Sequence, residues 1–142
     1  MEPPKTLSDL LYDARSGLKR MSPLELSQRP DAIVLDTRTP TDRALYGGIP
    51  GAFHVPRTVL EWRVAQDAPL KLAQITSTEQ TLVVVCNEGF SSSLAAAMLQ
   101  RLGYANATDL IGGFRGWLDA GLPVEQPAND EIGIRSDPCG PL

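Results

Sequence analysis

What this 142-residue chain lacks narrows it first. Its two cysteines, Cys86 and Cys139, are too few for a disulfide framework, so nothing in it calls for an oxidising compartment. It has a single histidine, His54, and no apolar run of membrane-spanning length. Positive charge is not in excess: the net charge is -4, which argues against general nucleic-acid binding. The N-terminus lacks the basic-then-apolar pattern of a secretory signal, and there is no internal repeat or low-complexity block. These absences predict a soluble, cytoplasmic chain with no membrane or nucleic-acid partner, no metal and no cofactor. The rest of the composition, 42% apolar and 21% charged, is that of one globular domain with a real core.

One stretch organises the chain. Leu82-Val83-Val84-Val85 is a short β-branched run, suited to a strand buried on both faces. It ends on Cys86, and the polar loop Asn87-Glu88-Gly89-Phe90-Ser91-Ser92 follows. Leu94, Ala95, Met98, Leu99 and Leu102 then recur at helical spacing, with Gly103 as the stop. Cys86 is therefore expected at the carboxyl end of a strand and just before a helix N-terminus, where open α/β sheets bind ligands. Loop and helix N–H groups carry positive partial charge, which favours a thiolate and lowers the cysteine pKa. The same groups favour an anionic substrate or a terminal sulfur. Gly89 permits the positive φ that a loop curled around one atom needs, and Phe90 is placed to shield the pocket.

In chain order, residues 1–20 read as a helical extension, 21–125 as the domain and 126–142 as a flexible tail. Thr6 can cap a helix with the apolar stripe Leu7, Leu10, Leu11, Ala14 and Leu18, and an extended piece is expected over Leu18 to Met21. Ser22-Pro23-Leu24-Glu25 is a capping box with proline in the first turn. Strands are expected near 33–36, 53–55, 82–86 and 108–111. Thr39 to Asp42 reads as a turn before a short helical piece at Arg43 to Tyr46. Thr58 and Glu61 repeat the capping pattern, and Asp67 to Thr76 reads as a further helical stretch. Alternation of strands and helices predicts an α/β fold with a mostly parallel sheet and helices on both faces. Asp36 and Cys86 are then expected on one rim.

These residues support a family. The Ser22-Pro23 helix entry, Val34-Leu35-Asp36-Thr37-Arg38, Gly47-Gly48-Ile49-Pro50-Gly51-Ala52, Val84-Val85-Cys86-Asn87-Glu88-Gly89, and Gly112-Gly113-Phe114-Arg115-Gly116-Trp117 with Gly121-Leu122-Pro123-Val124 come in an order and spacing that resembles a single-domain rhodanese-like protein, from about Met21 to Val124. The resemblance implies a parallel sheet of about five strands and a catalytic cysteine loop. It also implies a sulfurtransferase in which Cys86 becomes a persulfide. The donor would be thiosulfate or a persulfide, and the acceptor a thiol, cyanide or a protein cysteine. The backbone N–H groups of Asn87 to Ser92 would stabilise the sulfur anion.

Two departures from the family pattern stand out. The fifth residue after the cysteine, often arginine in the family, is Ser91. Where the family has Gly-His-Ile-Pro-Gly-Ala, this chain has Gly48 in place of the histidine. Losing the arginine removes a cation and five donors from the loop rim, which predicts weak use of the thiosulfate dianion. It also argues against the related phosphatases and arsenate enzymes, which hold their anion with that arginine. The alternative from another class is a catalytically silent rhodanese-fold module that binds or regulates a partner.

Among other residues, Asp36 is expected to support the rim, and Arg38 to pair with Asp36 or with Glu88. Glu88 either repels anionic donors or faces solvent. His54 is read as structural, Trp62 and Trp117 as core, Arg57 and Arg63 as solvated. Cys139 is read as an idle tail cysteine.

Overall fold

The strand runs expected from β-branched residues form the centre of the molecule. The computed structural model describes residues 2–127. Strands β1 (Ile33–Asp36), β2 (Phe53–His54), β3 (Leu82–Val85) and β4 (Thr108–Asp109) make one sheet in the order β2-β1-β3-β4, all parallel. Successive side chains of a strand point to opposite faces, and this sorts the core in two. Ile33, Leu35, Leu82 and Val84 face Leu60, Val64, Ala95, Ala96, Leu99 and Tyr104. Val34, Val83 and Val85 face Met21, Leu26, Leu110, Phe114 and Trp117. Both faces are covered, which is why the central strands are apolar at every position rather than alternating.

The helices supply those coverings. They are α1 (Leu7–Arg15), α2 (Pro23–Ser27), α3 (Pro40–Tyr46), α4 (Leu60–Val64), α5 (Ser91–Arg101) and α6 (Gly113–Asp119). Thr6 Oγ1 accepts from the Asp9 N–H and caps α1, which packs along α5. The Ser22 capping box is complete in both directions. Among the described residues the sheet has four strands rather than about five. Met21 makes a single parallel bridge to Leu110 beside β4, and the capping box at Ser22 turns the chain into α2 before a ladder can form.

Other local expectations change for physical reasons. α3 begins at Pro40, not Arg43, because Thr39 acts as N-cap and accepts from the Asp42 N–H at 3.1 Å. The Thr58–Glu61 capping box does not form. A 3-10 turn at Arg57–Val59 leads into α4, and Glu61 accepts from Arg57 instead. Residues 67–76 hold no helix. Pro69 disfavours helical geometry at Ala68, and the segment is anchored by Leu72 and Ile75 against the core. Trp117 is buried, whereas Trp62 is 42% exposed and is not a core residue. Cys139 and nearly all of the expected tail lie outside the described residues.

Candidate active site

Cys86 stands where β3 ends and is 7% exposed. The loop after it bends back on Gly89, whose φ is +85°, and enters α5. No side chain caps α5. The sulfur takes that place: the Ser92 N–H donates to Cys86 Sγ at 3.4 Å and the Gly89 N–H at 3.1 Å. The loop holds this inward-facing set because its carbonyls are pulled outward. At the start of α6 the Phe114 N–H takes the Cys86 carbonyl at 2.8 Å and the Arg115 N–H takes that of Asn87 at 3.0 Å. The approach is close enough to require glycine. A Cβ on Gly113, whose φ is +61°, would stand 2.6 Å from the Cys86 carbonyl oxygen and from the Gly89 nitrogen.

The thiol is acidic for identifiable reasons. Burial pushes its pKa up. Hydrogen bonds from the Ser92 and Ser91 side chains and from the Ser92 and Gly89 N–H groups outweigh burial, and the pKa falls below the ordinary thiol value. A hydroxyl has one proton, however, and Ser92 Oγ lies 2.7 Å from Asp109 Oδ2. With that proton on Asp109, the Ser91 hydroxyl and the two backbone N–H groups remain to hold the thiolate.

A pocket of about 360 Å³ opens over the sulfur, lined by Thr37, Arg38, Thr39, Asp42, Cys86, Asn87, Glu88, Phe90 and Ser91. Of the loop, Gly89 and Ser92 are buried beneath it, while Glu88, Ser91 and Phe90 are exposed. Asn87 Nδ2 donates to Asp42 Oδ2 at 3.0 Å and ties α3 to the loop. The mouth therefore carries two carboxylates, Asp42 and Glu88.

The floor is charged in the opposite sense. Asp36 shares the sheet edge with Cys86, since it pairs with Val85 at the end of β1, but it does not line the pocket: its carboxylate is buried and holds two guanidiniums, Arg38 at 2.7 and 3.0 Å and Arg43 at 3.3 Å. The pair is a buried one and not an ordinary surface salt bridge. Arg38 lies on the Phe114 ring, 3.9 Å from its centroid, and donates to the Gly47 carbonyl at 2.7 Å. Its Nη1 makes no hydrogen bond among the described residues. Of the two partners expected for Arg38 the structure shows Asp36, and Arg38 also lines the pocket. His54 reaches this cluster from β2, with its ring nitrogen 2.7 Å from the Arg38 carbonyl.

The Gly48 departure lies in the same place. A Cβ at Gly48 would stand 3.5 Å from Arg43 Nη2 and 3.9 Å from Asp36 Oδ2. Both are ordinary contact distances, so a side chain at 48 would start against the Asp36–Arg43 pair without a clash at its Cβ. Sequence reasoning left Arg43 unassigned, and also Asp109 and Ser93, which join Ser92 below the loop. A charged residue inside the apolar run Ala107-Thr108-Asp109-Leu110-Ile111 was the available signal for Asp109.

Comparison with known proteins shows what the whole chain is similar to. The family described as "Rhodanese-like domain" matches residues 22–120. A thiosulfate sulfurtransferase GlpE of Actinobacillus succinogenes is 36% identical over 101 residues, 71% of this chain and 82% of that protein. Among solved structures, a Rhodopseudomonas palustris protein described as a possible tyrosine phosphatase is 27% identical with a TM-score of 0.78, over 88% of this chain and 98% of that one. A polysulfide-sulfur transferase homodimer of Wolinella succinogenes is 26% identical with a TM-score of 0.60, over 84% of this chain and 86% of that one.

Proposed function

The chain belongs to the rhodanese-like family, and from that premise we propose that it is a sulfurtransferase carrying sulfane sulfur on Cys86. The observation that supports this most directly is the Cys86 sulfur held by the Gly89 and Ser92 N–H groups at the floor of an open pocket. In the first half-reaction the Cys86 thiolate attacks the outer sulfur of the donor. The donor's S–S bond breaks, its inner part leaves with the bonding pair as a thiolate or as sulfite, and Cys86 becomes the persulfide anion. In the second, an acceptor thiolate or cyanide attacks that outer sulfur, the new S–S bond breaks, and the Cys86 thiolate returns. This is ping-pong covalent catalysis. The inward N–H groups stabilise negative charge at both stages without reorganising. Arg38 sits below the pocket and Asp42 and Glu88 at its mouth, an arrangement that favours a singly charged persulfide over the thiosulfate dianion.

The phosphatase description of the Rhodopseudomonas relative makes a second reading worth testing. It is disfavoured here because the loop from Asn87 to Ser92 contains no guanidinium to grip a phosphoryl group. Intact mass after incubation with a small-molecule persulfide tests both. The expected result is a gain of one sulfur atom on the parent and on Cys139→Ser, removed again by cyanide, and no gain on Cys86→Ser. Failure to take up sulfur together with release of p-nitrophenol from p-nitrophenyl phosphate would overturn the proposal in favour of the phosphatase. Neither activity would leave the silent binding module.

A further inference from the structure

The family match begins at residue 22, yet two side chains from before it reach the cysteine loop. Arg15, at the end of α1, donates from Nη2 to the Gly89 carbonyl at 2.8 Å and from Nε to Ser93 Oγ at 2.9 Å. Arg20, in the extended piece before Met21, donates from Nη2 to the same carbonyl at 3.0 Å. It also grips Asp109, with Nε 2.8 Å from Oδ1 and Nη2 3.2 Å from Oδ2. Asp109 is fully buried and accepts from the hydroxyls of Ser92 and Ser93 at 2.7 and 2.8 Å. Two guanidiniums thus converge on one carbonyl oxygen of the loop; neither arginine lines the pocket, although Arg15 lies over the ring of Phe90, which does, 5.8 Å from its centroid.

From this convergence we infer that Arg15 and Arg20 are positioning residues for sulfur transfer, fixing the Gly89–Phe90 peptide so that its N–H serves the pocket. The carbonyl and N–H of a trans peptide point in opposite directions, and the chain has no cis peptide among its described residues. Holding the Gly89 oxygen outward therefore directs the Phe90 N–H to the other side, toward the space the outer sulfur of the persulfide occupies. Glycine at 89 makes this clamp necessary. A residue free to take either sign of φ also allows its following peptide to rotate, and a rotated peptide would put a carbonyl dipole against the sulfur anion. The carbonyls of Cys86 and Asn87 are held by α6. That of Gly89 is held by charged side chains from outside the family-matched segment.

The inference rests on Cys86 being the sulfur carrier, and its test is chosen to be separable from that reading. In a Cys139→Ser background, the parent, Arg15→Leu, Arg15→Lys and the double variant Arg15→Leu/Arg20→Gln are compared for thermal midpoint, for the pH profile of Cys86 alkylation and for kcat of sulfur transfer. The charged groups facing Cys86 from the packed elements are Arg38 from the end of β1, with Asp36 and Arg43 behind it, Asp42 on α3, Glu88 in the loop and Asp109 at the end of β4. None of these is changed in the variants. Losing one preorganised donor to a developing anion commonly lowers kcat by about a hundredfold. Arg15→Leu, which keeps Arg20, should lose about tenfold and the double variant about a hundredfold, with the alkylation profile displaced to higher pH. Arg15→Lys keeps a cation and a donor and should recover most of the rate. A lower thermal midpoint with parental kcat and an unmoved pH profile would overturn the inference and make the arginines a structural staple. If the double variant fails to fold, Arg15→Leu against Arg15→Lys decides. A parent that transfers no sulfur defeats the proposed function instead, and alkylation still reads the clamp.

Discussion

Two regions at the carboxyl ends of neighbouring strands hold charge in opposite ways. At the end of β3 the Cys86 loop presents backbone N–H groups to one sulfur, with no ionised side chain touching it in the described residues. At the end of β1, two guanidiniums and one carboxylate are packed out of water, with Arg38 on the Phe114 ring. The first is suited to charge that comes and goes. Its dipoles are fixed by α5 and α6 before any anion forms, so a thiolate, a persulfide anion and a neutral thiol can succeed one another. The second is suited to charge that stays, because both guanidiniums depend on the one carboxylate and removing it leaves them buried without compensation.

The largest expected effect that tests this contrast is on stability. Asp36→Ala leaves Arg38 and Arg43 buried without their carboxylate and should cost about 3–5 kcal/mol in urea unfolding. A cost below about 1 kcal/mol, as for a surface pair, would show that the cluster relaxes into solvent and that the two regions do not differ as described. Asp36→Asn keeps the shape and part of the hydrogen bonding, and should fall between the parent and alanine.

A smaller effect concerns the protonation of Cys86. Its pKa lies below the ordinary thiol value in the folded chain, and only the thiolate is alkylated. The alkylation rate therefore rises with pH and reaches its plateau at a lower pH in the folded Cys139→Ser chain than in the same chain in concentrated urea. Coincident curves would mean that burial, which raises the pKa, balances the loop donors. Ser91→Ala should move the folded curve part of the way toward the unfolded one, since the Ser91 hydroxyl is one of those donors.

How much of this was legible in the sequence follows from how far apart the interacting residues are. The strand, cysteine, glycine loop and helix from Leu82 to Leu102 could be read because each signal is local: a β-branched run, one glycine, then helical spacing. The Ser22 capping box was legible for the same reason. Residues 67–76 form turns instead of a helix, held by Leu72 and Ile75 against the core, a tertiary anchoring with no local signal. Trp62 was misread because size alone does not place a side chain. The second departure, Gly48, was visible in the sequence, but its neighbour Arg43 was not, since only the fold brings the Arg43 guanidinium beside it. Arg15 and Arg20 meet the loop across 74 and 69 residues of chain, and nothing local announces a contact of that kind.

The smallest expected effect sits where the two regions meet, at the pocket. Ser91 is exposed and lines it, and Arg38 lies below. The Arg38 charge is largely answered by Asp36 at 2.7 Å, so the cation beneath the pocket is weaker toward a donor than an unpaired one would be. Above it, Asp42 and Glu88 stand at the mouth. Two unit charges about 6 Å apart at an effective dielectric of about 20 interact by nearly 3 kcal/mol, roughly a hundredfold in binding. Both mouth carboxylates belong to solvent-facing residues, and screening reduces this to about tenfold. Ser91→Arg should therefore lower the thiosulfate KM by about tenfold at low ionic strength, with the gain fading as salt is added. It should do much less for a singly charged persulfide, because the attraction scales with the donor's charge. The substitution also removes the Ser91 hydroxyl from the thiolate, so kcat should not rise with the fall in KM. An unchanged thiosulfate KM at low salt would mean that Arg38 and the backbone N–H groups already bind the dianion without help from the rim. The buried cluster would then be acting on substrate as well as on the fold, and the separation between charge that stays and charge that comes and goes would no longer hold.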